Sequence, residues 1–489
     1  MGSKMIKATS VEWRSGKLWR PQYHFTAPKS WINDPNGLIY YKGWYHLFYQ
    51  YNPHGCEWGE MHWGHAVSKD MVYWKDIPLA LIPDQPYDSH SEGGCFSGSA
   101  VEKDGTLYIF YSATVKEDGK TKQTQCLVTS EDGMHFTKYE ENPVIENPPE
   151  GASEDFRDPK VFSEGNMWYM VVGGSVGGAE QGGDGKVFLY ESADLYRWHY
   201  KSTILDSCGQ MGTMFECPDL FQLNGKWILT CSPMNHPQYN KALCCIGTMD
   251  FDTGKYQVEK IKNLDYGFDY YAPQSFLDKN GNRVLIAWQN GWKWMPWCED
   301  WGPTTKENWR GSLSLPREIS LTKNNEIQLY PVQELNSLMQ KEQVKIDEQI
   351  GKEKYYINLV DSKSYYLKIK VNVTKIESRF LEIGLLGNGN QASVLHIDFI
   401  GRIMTFNKEK ADCYSGGIIN CPIPENEQEM ELDIFVDYSS IEVYVNKGTC
   451  CMTTNVYPKE DQTECWIRTP YKAATIDRLE AGSMKSIWN

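Results

Sequence analysis

Gly43-Trp44-Tyr45-His46-Leu47-Phe48-Tyr49 reads as a glycine turn that runs directly into an apolar strand. The same combination returns at Gly105, Gly165, Gly225 and Gly281, with separations of 62, 60, 60 and 56 residues. A unit of about 60 residues repeated in this way points to radially arranged sheets, because each unit needs a neighbour to bury its faces. In three units an acid precedes the glycine: Asp34 by nine residues, Asp158 by seven and Glu216 by nine. Units two and five carry Phe96-Ser97 and Ala272-Pro273-Gln274 at the corresponding point. Blades of a propeller present one edge each to a common pocket, so the spacing predicts that the three carboxyls converge there.

A second repeat supports the same architecture. Ser68-Lys69-Asp70, Ser130-Glu131-Asp132 and Ser192-Ala193-Asp194 begin 62 residues apart, and each is followed by an aromatic residue: Trp74, Phe136 and Trp198. Ser and Asp at this spacing cap local backbone amides, which makes the motif structural punctuation before an outer strand.

Of 18 tryptophans, 16 lie at or before Trp309, and beyond it the chain turns rich in Lys, Glu and Ile. Tyr365-Tyr366-Leu367-Lys368-Ile369-Lys370-Val371 alternates with period two, as do residues 379–386, 431–436 and 441–445. An all-β protein follows: a five-bladed β-propeller over residues 1–330, a linker at 331–341 with a short helix near 330–339, and a β-sandwich over 342–489.

With 489 residues and 41% apolar content, the chain buries a large core without disulfides or metal. Its net charge of −15 comes with no polybasic block, which argues against nucleic acid or an anionic membrane as partner. Residues 1–20 hold no leader-like apolar run, and no 18-residue apolar stretch occurs, so a soluble cytoplasmic protein is expected. The 14 cysteines lack Cys-x-x-Cys spacing and read as reduced, buried thiols. No acidic metal cluster, phosphate-cradling loop or dinucleotide fingerprint is evident, so no cofactor and no metal is expected.

Two carboxyls facing one another among aromatic residues suit glycoside cleavage, one attacking or stabilising the sugar cation and the other protonating the leaving oxygen. Asp34 lies in Trp31-Ile32-Asn33-Asp34-Pro35-Asn36-Gly37, where two asparagines are available to keep it ionised, as a nucleophile requires. Glu216 in Phe215-Glu216-Cys217-Pro218-Asp219 has apolar neighbours expected to raise its pKa, as a general acid requires. Asp158 follows Arg157, a cation expected to keep it charged for accepting sugar hydroxyls. His24 and His65 read as satisfied loop histidines without a catalytic role.

These motifs, with Phe48-Tyr49-Gln50, Trp58-Gly59, Phe96-Ser97-Gly98-Ser99, Tyr271-Ala272-Pro273-Gln274 and Leu315-Pro316-Arg317-Glu318, resemble in order those of glycoside hydrolase family 32, the β-fructofuranosidases. Phe435-Val436-Asp437-Tyr438-Ser439-Ser440-Ile441-Glu442-Val443 is similar to that family's C-terminal sandwich. The resemblance implies a retaining exo-hydrolase of β-D-fructofuranosides, with Asp34 as nucleophile, Asp158 as transition-state stabiliser and Glu216 as acid/base. A carboxyl separation of about 5–5.5 Å goes with retention. The resemblance also assigns sugar contacts to Asn33, Gln50, Trp58, Phe96, Ser97, Arg157, Tyr271 and Trp288, and six tryptophans from Trp288 to Trp309 read as a loop at the pocket rim.

Sucrose, sucrose 6-phosphate and short fructo-oligosaccharides are the substrates expected, with Lys293 or Arg310 available to a phosphate. A fructosyltransferase of the same fold, a non-catalytic fructan-binding protein and an inverting arabinan hydrolase stay open as alternatives. The sandwich is open to several roles: a buttress, a polymer-binding module, or the contact of a homodimer.

Overall fold

A computed structural model describes residues 18–117, 119–298, 301–374, 376–412, 414–424 and 428–488. Expectations that fall on residues 1–17 and on Cys413 lie outside these. All five repeat glycines have positive φ, from 60° at Gly165 to 86° at Gly281. At Gly43, Gly105 and Gly225 the preceding Lys42, Asp104 and Asn224 are left-handed as well. Two such residues in succession make the turn whose twist fits a two-residue hairpin.

Five sheets occupy the N-terminal part. The first takes Ser30–Tyr41, Trp44–Asn52, His62–Ser68 and Trp74–Leu81 in order, with Trp309–Arg310 added in parallel outside Ser30–Tyr41. Three four-stranded antiparallel meanders follow, opening on Gly94–Lys103, Phe156–Glu164 and Met214–Leu223. The fifth sheet takes Tyr271–Leu277, Arg283–Trp288, Arg317–Leu321 and Ile327–Pro331. Each opening strand packs against the next, and Tyr271–Leu277 returns to Ser30–Tyr41, so the arrangement is propeller-like.

Every opening strand slips register at the same place: Ile32/Pro35, Cys95/Gly98, Arg157/Lys160, Glu216/Asp219 and Tyr271/Gln274. Asp158, Cys217 and Ala272 take φ of 68°, 47° and 51°, each just before a proline. Such non-glycine residues cost about 1–3 kcal/mol apiece and persist only where neighbours hold them. Ser112 Oγ accepts the Asp158 N–H at 2.8 Å and Ser232 Oγ that of Ala272 at 2.9 Å, so each bulge is tied to the preceding sheet. The bulges re-aim side chains toward the mouth of the ring.

The Ser-x-Asp motifs form one repeated turn. Ser68, Ser130 and Ser192 accept the N–H three residues on at 2.9, 2.9 and 3.0 Å, and the aspartates accept the two N–H groups beyond. The residue at the turn's apex is left-handed each time: Met71, Gly133 and Leu195.

Two six-stranded sheets form the C-terminal sandwich. The alternating runs emerge as Tyr365–Asn372, Phe380–Asn388, Glu429–Asp437 and Ser440–Val445. Their inward residues, among them Leu367, Ile383, Ile434 and Val443, fill its core. The helix expected near 330–339 is a single 3-10 segment, Gln333–Leu338, and Met339 already begins the sandwich's long edge strand. Leu335 and Leu338 pack into the N-terminal core, and Met339 at the segment's end is already extended.

A buried polar network joins the two parts. The guanidinium of Arg317 donates to Asp265 at 2.8 Å and Glu442 at 2.9 Å, with all three side chains fully buried. His24 Nδ1 lies 2.8 Å from Asp437, which also accepts the Gln22 N–H at 2.7 Å. Burial opposes charge on the His24 ring, but Asp437 and Glu442 outweigh it and push its pKa up to about 9. His65 is also buried, in the strand His62–Ser68 and not in a loop, stacked between Phe48 and His46. Among the described residues no helix is long and apolar enough to cross a membrane.

Candidate active site

A cavity of about 1020 Å³ opens where the bulged ends of the inner strands meet, and Asp34, Asp158 and Glu216 all line it. Their convergence follows from the bulges, which place one acid each from the first, third and fourth sheets on a common wall. Cys217 links them. Its N–H donates to Asp158 Oδ2 at 2.9 Å, its thiol lies 3.6 Å from Asp34 Oδ2, and it follows Glu216 in the chain.

The two oxygens of Asp34 differ. Oδ2 accepts the Ser97 hydroxyl at 2.6 Å, whereas Oδ1 is buried and accepts no hydrogen bond among the described residues. Burial drives the Asp34 pKa up to about 6, opposed by the Ser97 hydroxyl and reinforced by the charge of Glu216. One oxygen is therefore held by the Ser97 hydroxyl while the other is enclosed without a hydrogen-bond partner.

The arginine differs from its expected role. Arg157 Nη2 and Nε reach Glu216 Oε1 at 2.8 and 3.2 Å, and Nη1 reaches Asp155 at 3.3 Å. Asp158, expected to stay charged beside this cation, is pushed up to about 7, because burial outweighs the Arg157 charge and Glu216 and Asp34 add repulsion. The apolar surroundings expected for Glu216 are replaced by this guanidinium on one oxygen and the Tyr271 hydroxyl, which donates to the other.

Of the expected sugar contacts, Asn33, Gln50, Trp58, Phe96, Ser97 and Arg157 line the cavity. Asn33 accepts the Trp31 indole N–H at 2.8 Å, Gln50 donates to the Cys95 carbonyl at 2.9 Å, and Trp58 meets Phe96 edge to face at 5.9 Å. Tyr271 is buried behind Glu216, its exposure 1%. Trp288 has no exposure at all and lies one layer back, its ring packed on Trp31 at 5.8 Å and Trp292 at 5.1 Å. It ends the strand Arg283–Trp288, and the Trp31 and Trp292 rings packed on it separate it from the cavity.

The rim tryptophans divide. Trp292, Trp294 and Trp301 line the cavity, whereas Trp297 packs on Phe268 and Trp309 is buried in its strand. Lys293 also lines it, with its Nζ 4.3 Å from the Trp301 ring. Arg310 does not: Glu57 takes its guanidinium at 2.6 Å. Lys116, Gln123 and Asp155 line the wall from elements that carry no motif, so repeat spacing alone does not mark them.

Residues 24–331 match the family model of the Glycosyl hydrolases family 32 N-terminal domain, and residues 334–482 match that of the Glycosyl hydrolases family 32 C terminal. The chain belongs to glycosyl hydrolase family 32. A sucrose-6-phosphate hydrolase of Zymomonas mobilis is 34% identical to this family-32 chain over 482 residues, covering 94% of it and 91% of the relative. A raffinose invertase of Escherichia coli is also 34% identical, with 92% of each chain covered. Among solved structures, a family-32 β-fructofuranosidase of Bombyx mori in complex with sucrose superposes with a TM-score of 0.80 at 29% identity, covering 98% of this chain and 97% of that one. This family-32 protein is a glycoside hydrolase.

Proposed function

We propose that this family-32 hydrolase cleaves the terminal non-reducing β-D-fructofuranosyl unit from sucrose and related fructosides in two inverting displacements that together retain configuration. Asp34 attacks the anomeric carbon through a carboxylate oxygen, forming a fructosyl ester while the bond to the leaving sugar breaks. Glu216, protonated, gives its proton to the leaving oxygen. In the second half Glu216 as carboxylate takes a proton from water, which attacks the same carbon and releases Asp34. Asp158 accepts two neighbouring sugar hydroxyls, contacts worth most as positive charge builds on the ring.

The observation that carries this reading is the convergence of Asp34, Asp158 and Glu216 on one cavity, with the Asp34 carboxyl fixed through Oδ2 by Ser97. A carboxylate held in this way loses no orientational freedom on attack. The carboxylate form of Glu216, with Arg157 and Tyr271 both donating to it, suits the base of the second half. Asn33, Gln50, Trp58, Phe96, Ser97 and Arg157 are assigned to the fructose, with Tyr271 acting through Glu216 and Trp288 backing the aromatic wall.

The five N-terminal sheets are read as five blades over residues 1–330, joined through 331–341 to a sandwich over 342–489. A phosphorylated leaving sugar is assigned to Lys293, a choice supported by its place on the wall and by the names of the sucrose-6-phosphate hydrolase relatives. Cysteines without metal or redox spacing suit a reducing, cytoplasmic setting. Exposed Val344 and Ile346 on the outermost strand Met339–Ile350 support a homodimer through the sandwich.

The test is fructose release from sucrose, sucrose 6-phosphate, a short inulin oligosaccharide and levan, by wild type and Asp34→Asn. Release by wild type and a loss of about 10⁴-fold or more in the variant is expected. No release from any of the four, or full activity in the variant, overturns the proposal.

A further inference from the structure

We propose that His54, Glu60 and His62 bind one divalent transition-metal cation, zinc by donor type, which clamps the neck of the loop carrying Trp58. Their ligand atoms all lie within 4.8 Å of one another, on the hairpin between Trp44–Asn52 and His62–Ser68. Two imidazoles and a carboxylate are a zinc donor set, leaving a fourth tetrahedral position to water.

The three residues differ in freedom in the way a clamp requires. His62 is buried and fixed in the ladder opposite Tyr51. Its Nδ1 lies 3.2 Å from the Glu60 carbonyl, the hydrogen bond by which metal-binding histidines are commonly oriented, and in that tautomer Nε2 keeps its lone pair. His54 is on the opposite limb, with its side chain 68% exposed and its Nε2 3.6 Å from Glu60 Oε2. Donors around tetrahedral zinc sit roughly 3.3–3.5 Å apart, so His54 and Glu60 are nearly placed and a rotation of the exposed His54 ring completes the set.

Closing the neck acts on what the loop presents. Trp58 lies between the two limbs and faces the cavity. The loop is already drawn in by Asn52, which accepts the His54 N–H at 2.9 Å and donates to the Glu57 carbonyl at 2.8 Å. A side chain at Gly59 would come within 2.9 Å of that same amide, so the limbs approach closely here. The metal site stands apart from the catalytic reading; only its effect on substrate affinity rests on the assignment of Trp58 to the fructose.

Equilibrium dialysis of the full chain against zinc at neutral pH, followed by KM for sucrose with and without zinc, tests both parts. Wild type is expected to retain one zinc per chain, His54→Ala and Glu60→Gln to bind it at least ten-fold more weakly, and His135→Ala, at an exposed histidine elsewhere, to bind it as wild type does. Both weakened variants change side chains outside the core, so their folds are checked by unchanged thermal midpoints without zinc. No retained zinc, or equal retention by His54→Ala and Glu60→Gln, overturns the site. Zinc is expected to shift KM at least two-fold in wild type and not in His54→Ala; bound zinc with an unchanged wild-type KM overturns the clamp.

Discussion

Arg157 reaches a single oxygen of Glu216 through two of its nitrogens, Nη2 at 2.8 Å and Nε at 3.2 Å, and leaves the other oxygen to Tyr271. Glu216, the proposed acid/base, is thus aimed by a planar fork that lysine does not reproduce. Glu216→Gln keeps the shape and removes the transferable proton, so kcat on sucrose is expected to fall by about 10²–10⁴-fold. With a 4-nitrophenyl leaving group, which needs little protonation, fructosylation is expected to be largely preserved. An equal loss on both substrates refutes the acid role.

Burial pushes the pKa of Asp34 up to about 6 and that of Asp158 up to about 7. The proposed attack requires ionised Asp34, so kcat/KM is expected to fall as pH drops below about 6. Stability runs the other way. A carboxyl whose pKa is raised on folding contributes stability that is full below the unfolded value near 3.8 and is lost as pH rises through about 7. Asp158→Asn is therefore expected to raise the thermal midpoint at pH 8 by at least about 2 °C and to leave it unchanged near pH 4. Scanning calorimetry at the two pH values decides it.

His24 has the opposite sign. Its pKa is raised to about 9 by Asp437 and Glu442 against the cost of burial, so its contribution is full below pH 6.5 and is lost as pH rises through about 9. The thermal midpoint of wild type is expected to drop between pH 7 and pH 10 by more than that of His24→Gln. His24→Gln itself is expected to cost about 3–5 kcal/mol at pH 7, since it leaves the buried Asp437 without its cation. Parallel slopes for the two proteins refute the charged ring.

Lys293 holds its ammonium over the Trp301 ring at the cavity wall. A charge-assisted contact to phosphate contributes about 1.5–3 kcal/mol. Lys293→Ala is expected to raise KM for sucrose 6-phosphate by about ten-fold or more, with sucrose affected far less. Equal changes on both substrates place the phosphate elsewhere.

Much of this was legible in the residues. Repeat glycines and Ser-x-Asp turns are local devices whose dihedrals follow from their own side chains, so Gly43, Gly105 and Ser68, Ser130, Ser192 behave as read. The convergence of Asp34, Asp158 and Glu216 was legible because period fixes position in a repeated sheet. What eluded the sequence depends on contacts made across sheets. Arg157 adjoins Asp158 in the chain yet spends its guanidinium on Glu216, because a bulge turns successive side chains apart. Trp288 looks like a stacking platform in composition alone, but its ring is walled in by Trp31 and Trp292. The trio of His54, Glu60 and His62 had only the weak signal of two histidines and a glutamate across one hairpin.

The parallel pairing of Trp309–Arg310 with Ser30 and Trp31 sets an order of assembly. During synthesis the first sheet leaves the ribosome with an open edge, and the segment that covers it is made nearly 280 residues later. Asp34 lies on that waiting strand. The surroundings of this strand are thus finished late, and a nascent chain arrested before residue 309 carries all three acids while the strand that bears the first of them still has an open edge.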